Sequence, residues 1–165
     1  MKKKFIEDNL VIRSCAQTNT PTIFSLIKRL AIDQQKTHKF HSNSDDFKKI
    51  YNAPSLNINA IIAGYKVTSV GVCLYFFSFS TWRGETGIYI QDLFVEAQYR
   101  RNNIAEKMLT HTGLDGSDRQ ASYLILSVNS SDTEAQKFYS HIDITSEHDE
   151  AIFAACETGS ETLKG

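Results

Sequence analysis

The stretch that most limits how this chain can fold runs from residue 88 to residue 128. "IYIQDLFV" (88–95) is an apolar run of strand length, and "SYLILSV" (122–128) is another. Between them, apolar residues recur at helical spacing from about residue 103 to about Thr112. A strand, a helix and a strand in that order make a crossover, which is how two parallel strands are joined. The chain therefore needs a sheet with a parallel pair and a helix across one face. A ligand is expected at the carboxyl end of the first of these strands.

The rest of the sequence adds elements to that unit. "LVIRSC" (10–15) reads as a first strand. Thr20 then Pro21 reads as a helix cap followed by a first-turn proline. Ile23, Leu26, Ile27 and Leu30 continue that helix through Ala31, with Lys28 and Arg29 on its solvated side. The polar stretch 33–46 reads as a loop, and Ser44 as the cap of a short helix holding Phe47 and Ile50 that Pro54 ends. Residues 57–79 read as a hairpin turning around Gly64, Tyr65 and Lys66. A turn at 80–87, a Gly/Asp loop after Thr112, a helix at 132–141 and a last strand at 151–156 complete the order β-α-α-β-β-β-α-β-α-β. The class is α/β or α+β, in one domain spanning 1–165 whose end, 157–165, is a solvated tail.

Charge narrows the partners. Eighteen basic against 19 acidic side chains give a net charge of −1, which supplies no overall field for nucleic acid or anionic lipid. No apolar run has the length of a membrane span. Cys15, Cys73 and Cys156 lie far apart in apolar contexts, so buried thiols in a reducing cytoplasm are expected, with neither disulfide nor metal. His38 and His41 have a spacing that suits one metal, but they lie in a polar loop without a cysteine partner and read as solvated.

A local anion site is a different matter. "YRRNNIAEKML" (99–109) packs two arginines and two asparagines into the corner between strand and helix. Asn103 and Glu106 have capping-box spacing. The first backbone N–H groups of the helix lack intrahelical partners and suit an anion. Arg100 and Arg101 add permanently charged donors, and Asn102 or Asn103 accepts a left-handed conformation more readily than most residues. The corner is either a solvated basic helix start or a pyrophosphate seat. In "NSSDTEAQKFY" (129–139), Ser131 and Glu134 again have capping-box spacing. Phe138 reads as core; Tyr139 is either core or a proton donor. Trp82, in a turn, either walls an amine pocket by cation–π contact or covers the sheet edge.

Taken together, the two corners resemble the GNAT acetyltransferase family. Arg100, Asn103 and Ala105 fall on its acyl-CoA motif R/Q-x-x-G-x-G/A, and Asp132, Ala135, Phe138 and Tyr139 on its later motif N-x-x-A-x-x-F-Y. Residues 71–109 are similar to the diamine (spermidine/spermine) acetyltransferase branch, and the similarity extends from the first strand to about Tyr139. The resemblance implies a mixed central sheet splayed at its middle, with helices on both faces, and a homodimer. It implies acetyl transfer from acetyl-CoA to a primary amine of a small, diamine-like or amino-acid-like molecule. Leu93, Phe94 and Val95 would pair with the pantetheine arm. Arg100, Arg101, Asn102, Asn103, Ile104, Ala105 and Glu106 would hold the pyrophosphate, with Asp132 and Ala135 beside CoA. Tyr139 would protonate the departing thiolate, and Trp82, Gln91 and Asp92 would face the amine.

Several positions depart from the family. Asn103 stands where the family prefers glycine, Asp132 replaces an asparagine, and Arg101 and Ser80 replace a glycine and an acidic residue of the diamine branch. Gln91 stands where that branch carries a glutamate that orients or deprotonates the amine through water, and an amide cannot act as a base. Successive strand residues face opposite ways, so Gln91 and Asp92 share a site only if a bulge turns the strand there. The alternatives to a small-molecule enzyme are an acyl-CoA-binding sensor with little catalysis, or a protein or peptide N-acetyltransferase.

Overall fold

A computed structural model describes residues 9–146. They fall into two compact units divided between Ser127 and Val128. The strand read at 151–156, Cys156 and the tail lie outside the described residues.

The first unit is a five-stranded mixed sheet whose spatial order follows the chain. Strands β1 (Leu10–Ser14), β2 (Ile58–Tyr65), β3 (Thr68–Ser80) and β4 (Glu85–Val95) pair antiparallel in succession. Strand β5 (Ala121–Leu126) joins β4 in parallel, and helix α3 (Ile104–Ser117) makes the crossover between them. Helices α1 (Thr20–Asp33) and α2 (Ser44–Tyr51) lie between β1 and β2 in the chain.

Strand alternation divides the core into two layers. Ile23, Leu26, Ile27 and Leu30 of α1 bury against Ala60, Ile62, Val72, Leu74 and Phe94, with Tyr51 of α2 in the same cluster. The intervening strand residues meet α3 on the opposite face. Thr112 donates to Cys73 Sγ at 3.6 Å and to its own Met108 carbonyl at 3.0 Å. The Tyr75 hydroxyl donates to Asp115 at 2.5 Å, and Gly116 lies against Ile88. The sheet is mixed and carries helices on both faces, as the resemblance implies. Among the described residues, no helix is long and apolar enough to cross a membrane.

Several local readings are corrected. Asn19, not Thr20, precedes α1, and its side-chain oxygen takes the Ala16 N–H and the Arg13 guanidinium at 3.1 Å each. Thr20 is buried in the first turn. Asn43, not Ser44, caps α2 by accepting from the backbones of Asp45 and Asp46 at 3.0 and 2.9 Å. The stretch read as a loop holds the last residue of α1 and a short 3-10 turn, Thr37–Lys39. The hairpin turns at Lys66 and Val67, with Lys66 at φ 54°, while Gly64 stays in β2 beside a register shift. Strand β4 starts at Glu85, not 88, and α3 runs on through Gly113 and Gly116 to Ser117. Packing of Gly116 beneath Ile88 outweighs the low helix propensity of glycine. Arg29, read as solvated, pairs with Glu96 just beyond β4.

Two glycines test this packing in opposite directions. A Cβ on Gly71 would stand 2.9 Å from the Phe94 carbonyl oxygen and 3.2 Å from Met108 Sδ, whereas one on Gly113 meets nothing within 4 Å. Gly71→Ala is expected to destabilise by about 1–3 kcal/mol and Gly113→Ala to stabilise by about 0.5–1 kcal/mol. Urea midpoints of the two variants measure both.

Candidate active site

The pairing of β3 with β4 skips one residue. Leu74 faces Asp92 and Tyr75 faces Ile90, so Gln91 is extra on its strand, a β-bulge. The bulge resets the alternation of β4. Ile88 meets α3, yet both Gln91 and Asp92 open onto cavities on the α1/α2 face. At the same point the sheet opens: among the described residues, pairing with β5 ends at Ile90 and Leu126, while residues 92–95 continue along β3. The bulge and the splay therefore coincide.

Two cavities flank the bulge. One, of about 160 Å³, holds Asp92 among Ile27, Leu30 and Phe40, with Lys36 and Lys39 also on its wall. Burial pushes the Asp92 carboxyl above its ordinary value. The other, of about 250 Å³, takes Gln91 from the bulge and otherwise carbon-rich side chains from α2 (Phe47, Ile50, Tyr51), β2 (Ile58) and β3 (Leu74, Phe76). Its one ionisable lining group is Tyr51, pushed up to about 12, first by burial and then by Cys15. The thiols of Cys15 and Cys73 are likewise pushed up, to about 11 and about 12, chiefly by burial.

The corner after β4 is braced internally. Arg100 donates its Nε to the Val95 carbonyl at 2.9 Å and its Nη2 to Asp33 at 2.6 Å. Asn102 gives its amide N–H groups to the carbonyls of Tyr99 and Arg100 at 3.0 and 2.9 Å. Arg100 and Asn102, read as donors for an anion, thus serve the turn. The capping box does not form: Asn103 sits at φ 58°, ψ 18°, and its side chain makes no cap hydrogen bond. Arg101 is also left-handed, at φ 62°, whereas Asn102 between them is not. Alternating hand curls a backbone so that successive N–H groups converge on an anion. The convergent part of the corner is its backbone, running into the first turn of α3, where Ile104 is buried, Ala105 half-buried and Glu106 exposed.

Leu93 continues the strand half-buried, and Phe94 and Val95 are in the core. Trp82 is placed differently from either reading. It stands fully exposed in the β3–β4 turn, lines neither cavity, and lies roughly 20 Å from the bulge at the rise of a strand. In the second unit, α4 (Thr133–His141) begins at Asp132, whose carboxylate accepts from the Ala135 N–H at 3.0 Å. Asp132, rather than Ser131, is the cap. Phe138 and Tyr139 are both half-buried, their rings 5.1 Å apart at 61°. Sequence reasoning missed Asp33 and Glu96, the anchors of Arg100 and Arg29, because such pairs join residues far apart in the chain. It also missed Tyr51 and Ile58, which carry no motif.

Comparison with known proteins adds an independent line. The acetyltransferase (GNAT) domain family matches residues 34–155. Thialysine N-epsilon-acetyltransferase of Bos taurus is 28% identical over 145 residues, which span 79% of this chain and 81% of that protein. Among solved structures, an aminoglycoside acetyltransferase from an uncultured soil metagenomic sample, in complex with sisomicin, aligns with a TM-score of 0.79 at 20% identity. It covers 92% of this chain and 98% of that one. AAC(6')-Iy in complex with the bisubstrate analogue CoA-S-monomethyl-acetylneamine aligns with a TM-score of 0.71 at 16% identity, covering 90% and 98%.

Asp92 gives this site a pH signature in stability. Its raised folded-state value means that the folded chain binds more protons than the unfolded chain between the ordinary carboxylate value of 3.8 and the raised one. Stability contributed by this group therefore falls as pH rises through that window. Asp92→Asn is expected to melt higher than the parent at pH 7, with the advantage vanishing towards the bottom of the window. Thermal melts from pH 4 to pH 8 measure the difference.

Proposed function

Because the chain belongs to the acetyltransferase (GNAT) family and is an acetyl-CoA-dependent N-acetyltransferase, we propose that its acceptor is the primary amine of a small molecule, attacking the thioester directly. The observation that carries this reading is the bulge at Gln91. Where β4 leaves β5, it turns a half-buried carboxylate and an amide to one face, beside a cavity of about 250 Å³. Two reactants held there need alignment and proton handling more than any further group. The names of the relatives support an amine acceptor: one is a thialysine acetyltransferase, and one is an aminoglycoside acetyltransferase holding sisomicin.

The residues present fit acetyl-CoA. Backbone N–H groups of 101–106 suit the pyrophosphate, since the helix start is uncapped and the turn before it alternates in hand. Residues 93–95, beyond the last β5 pairing, leave strand backbone for the pantetheine arm. In the transfer, the amine nitrogen bonds to the acetyl carbon and the carbon–sulfur bond breaks. The amine's proton leaves for Asp92 or water, and the thiolate takes up a proton, the role that the family resemblance assigns to Tyr139, giving an amide and the CoA thiol. A free alkylamine has a pKa near that of lysine, about 10.4, so it arrives as ammonium. Burial makes Asp92 a stronger base than an exposed carboxylate, and the Gln91 carbonyl is an acceptor for an amine N–H.

Two experiments test this reading. Acetyl-CoA is expected to raise the melting temperature by mass action, and pantetheine, which lacks the pyrophosphate, to do so far less. Asn103→Val, β-branched and unsuited to a left-handed backbone, is expected to weaken acetyl-CoA binding, whereas Asn103→Gly preserves it. Equal affinity in the valine variant would remove the corner from the site.

Tyr139→Phe deletes only a hydroxyl. It is expected to lower kcat by about 10²–10⁴-fold while leaving acetyl-CoA affinity nearly unchanged, as steady-state kinetics on the best acceptor would report. An unaltered kcat would return Tyr139 to a packing role.

A further inference from the structure

We propose that the acceptor is a monoamine with an apolar, arylalkyl-sized body, not a polycation, an amino acid or an aminosugar. The inference rests on the acetyl-transfer reading above and concerns only what the 250 Å³ cavity beside the bulge accepts.

The lining decides the chemistry. Apart from Gln91 it is hydrocarbon and aromatic, and the hydroxyl of Tyr51, pushed up to about 12, stays neutral. Among the described residues, neither carboxylate nor cation lines it. A diamine lodged there would hold its second ammonium against apolar walls without a partner, which is unfavourable. An amino acid would bury a carboxylate, and the nearby lysines, Lys36 and Lys39, line the other cavity. An aminosugar carries more hydroxyl and ammonium groups than one amide can satisfy. Asp92 lines the adjoining cavity, so the carboxylate beside the bulge stands outside the apolar recess.

Shape points the same way. Phe47 stacks on Tyr51 at 6.1 Å and 14°, and Phe76 on Tyr89 at 5.0 Å and 21°, so two flat aromatic pairs border the recess. Phe24 and Phe40 extend the first pair, with Phe24 5.5 Å from Phe47. A cavity of about 150 Å³ lined by Leu, Ile and Phe holds benzene. One of 250 Å³ therefore holds a ring with a short alkyl arm, its nitrogen directed to the Gln91 end. The transfer is the one already given: the N–C bond forms, the C–S bond breaks, and the products are an N-acetyl amide and CoA thiol.

Acetyl-CoA consumption by the full chain tests this with 2-phenylethylamine, straight-chain alkylamines, 1,6-diaminohexane, lysine and sisomicin. The expected order places 2-phenylethylamine and hexylamine first, with kcat/KM at least about 100-fold above 1,6-diaminohexane. In the alkylamine series kcat/KM is expected to rise about fourfold per methylene until the recess fills. Ile50 lines the recess yet is 50% exposed, so Ile50→Asp adds a carboxylate without emptying the core. That variant is expected to shrink the preference for hexylamine over 1,6-diaminohexane at least 10-fold, a ratio that general destabilisation does not move. Preferred turnover of the diamine, lysine or sisomicin overturns the inference and leaves the acetyl-transfer reading standing. So does an unchanged ratio in a folded Ile50→Asp. No transfer to any amine, with acetyl-CoA still bound, overturns both.

Discussion

One unpaired residue in a strand organises the site. With Gln91 in register, Asp92 would face α3 and the amide would face α2, on opposite sides of the sheet. The bulge between the Leu74–Asp92 and Tyr75–Ile90 pairs brings them to one side. It falls where, among the described residues, β4 loses its β5 neighbour. A bulge adds local twist, and extra twist at a parallel partner is a physical reason for two strands to part company. Reaction geometry and sheet opening then share one cause.

The corner after β4 shows a division of labour between side chain and backbone. Its charged groups look like the anion site, yet Arg100 holds Val95 and Asp33, and Arg29 holds Glu96. These ion pairs are partly exposed and each is worth little to stability, typically about 0.2–1 kcal/mol. Their effect is positional: they fasten the end of α1 to the end of β4. What remains convergent at the corner is main chain. Arg101 and Asn103 carry side chains and still adopt the left-handed conformation that glycine takes most readily. The backbone shape holds without the residue that favours it most.

A nearly neutral chain can still contain strongly biased microenvironments. Burial holds Asp92, Tyr51, Cys15 and Cys73 towards their protonated forms, each by removing water from a group that would otherwise ionise more readily. For the thiols and the phenol this means inertness. For Asp92 it means basicity, because the same desolvation acts on a group whose ordinary value lies far below neutral pH. Position next to the bulge turns a packing cost into a chemical property.

Much of this was legible before any coordinates. Apolar periodicity located α1, β4 and β5, since burial of one face imposes that spacing whatever the partner. Asn103 and Arg101 flagged the corner, and the adjacency of Gln91 and Asp92 made a shared site conditional on a bulge, because successive residues of a regular strand face opposite sides. Helix caps fell one residue away from the expected Thr20 and Ser44, since neighbouring polar residues compete for the role and only the path of the chain chooses between them. Trp82 has a side chain suited to a pocket wall, but the length of the β3–β4 hairpin carries it far from one. The bracing of Arg100 by Asp33, and the apolar recess built from α2, β2 and β3, belong to the tertiary structure alone. Local pattern reports which face of an element is buried; which distant side chains meet on that face is set only when helix and sheet pack.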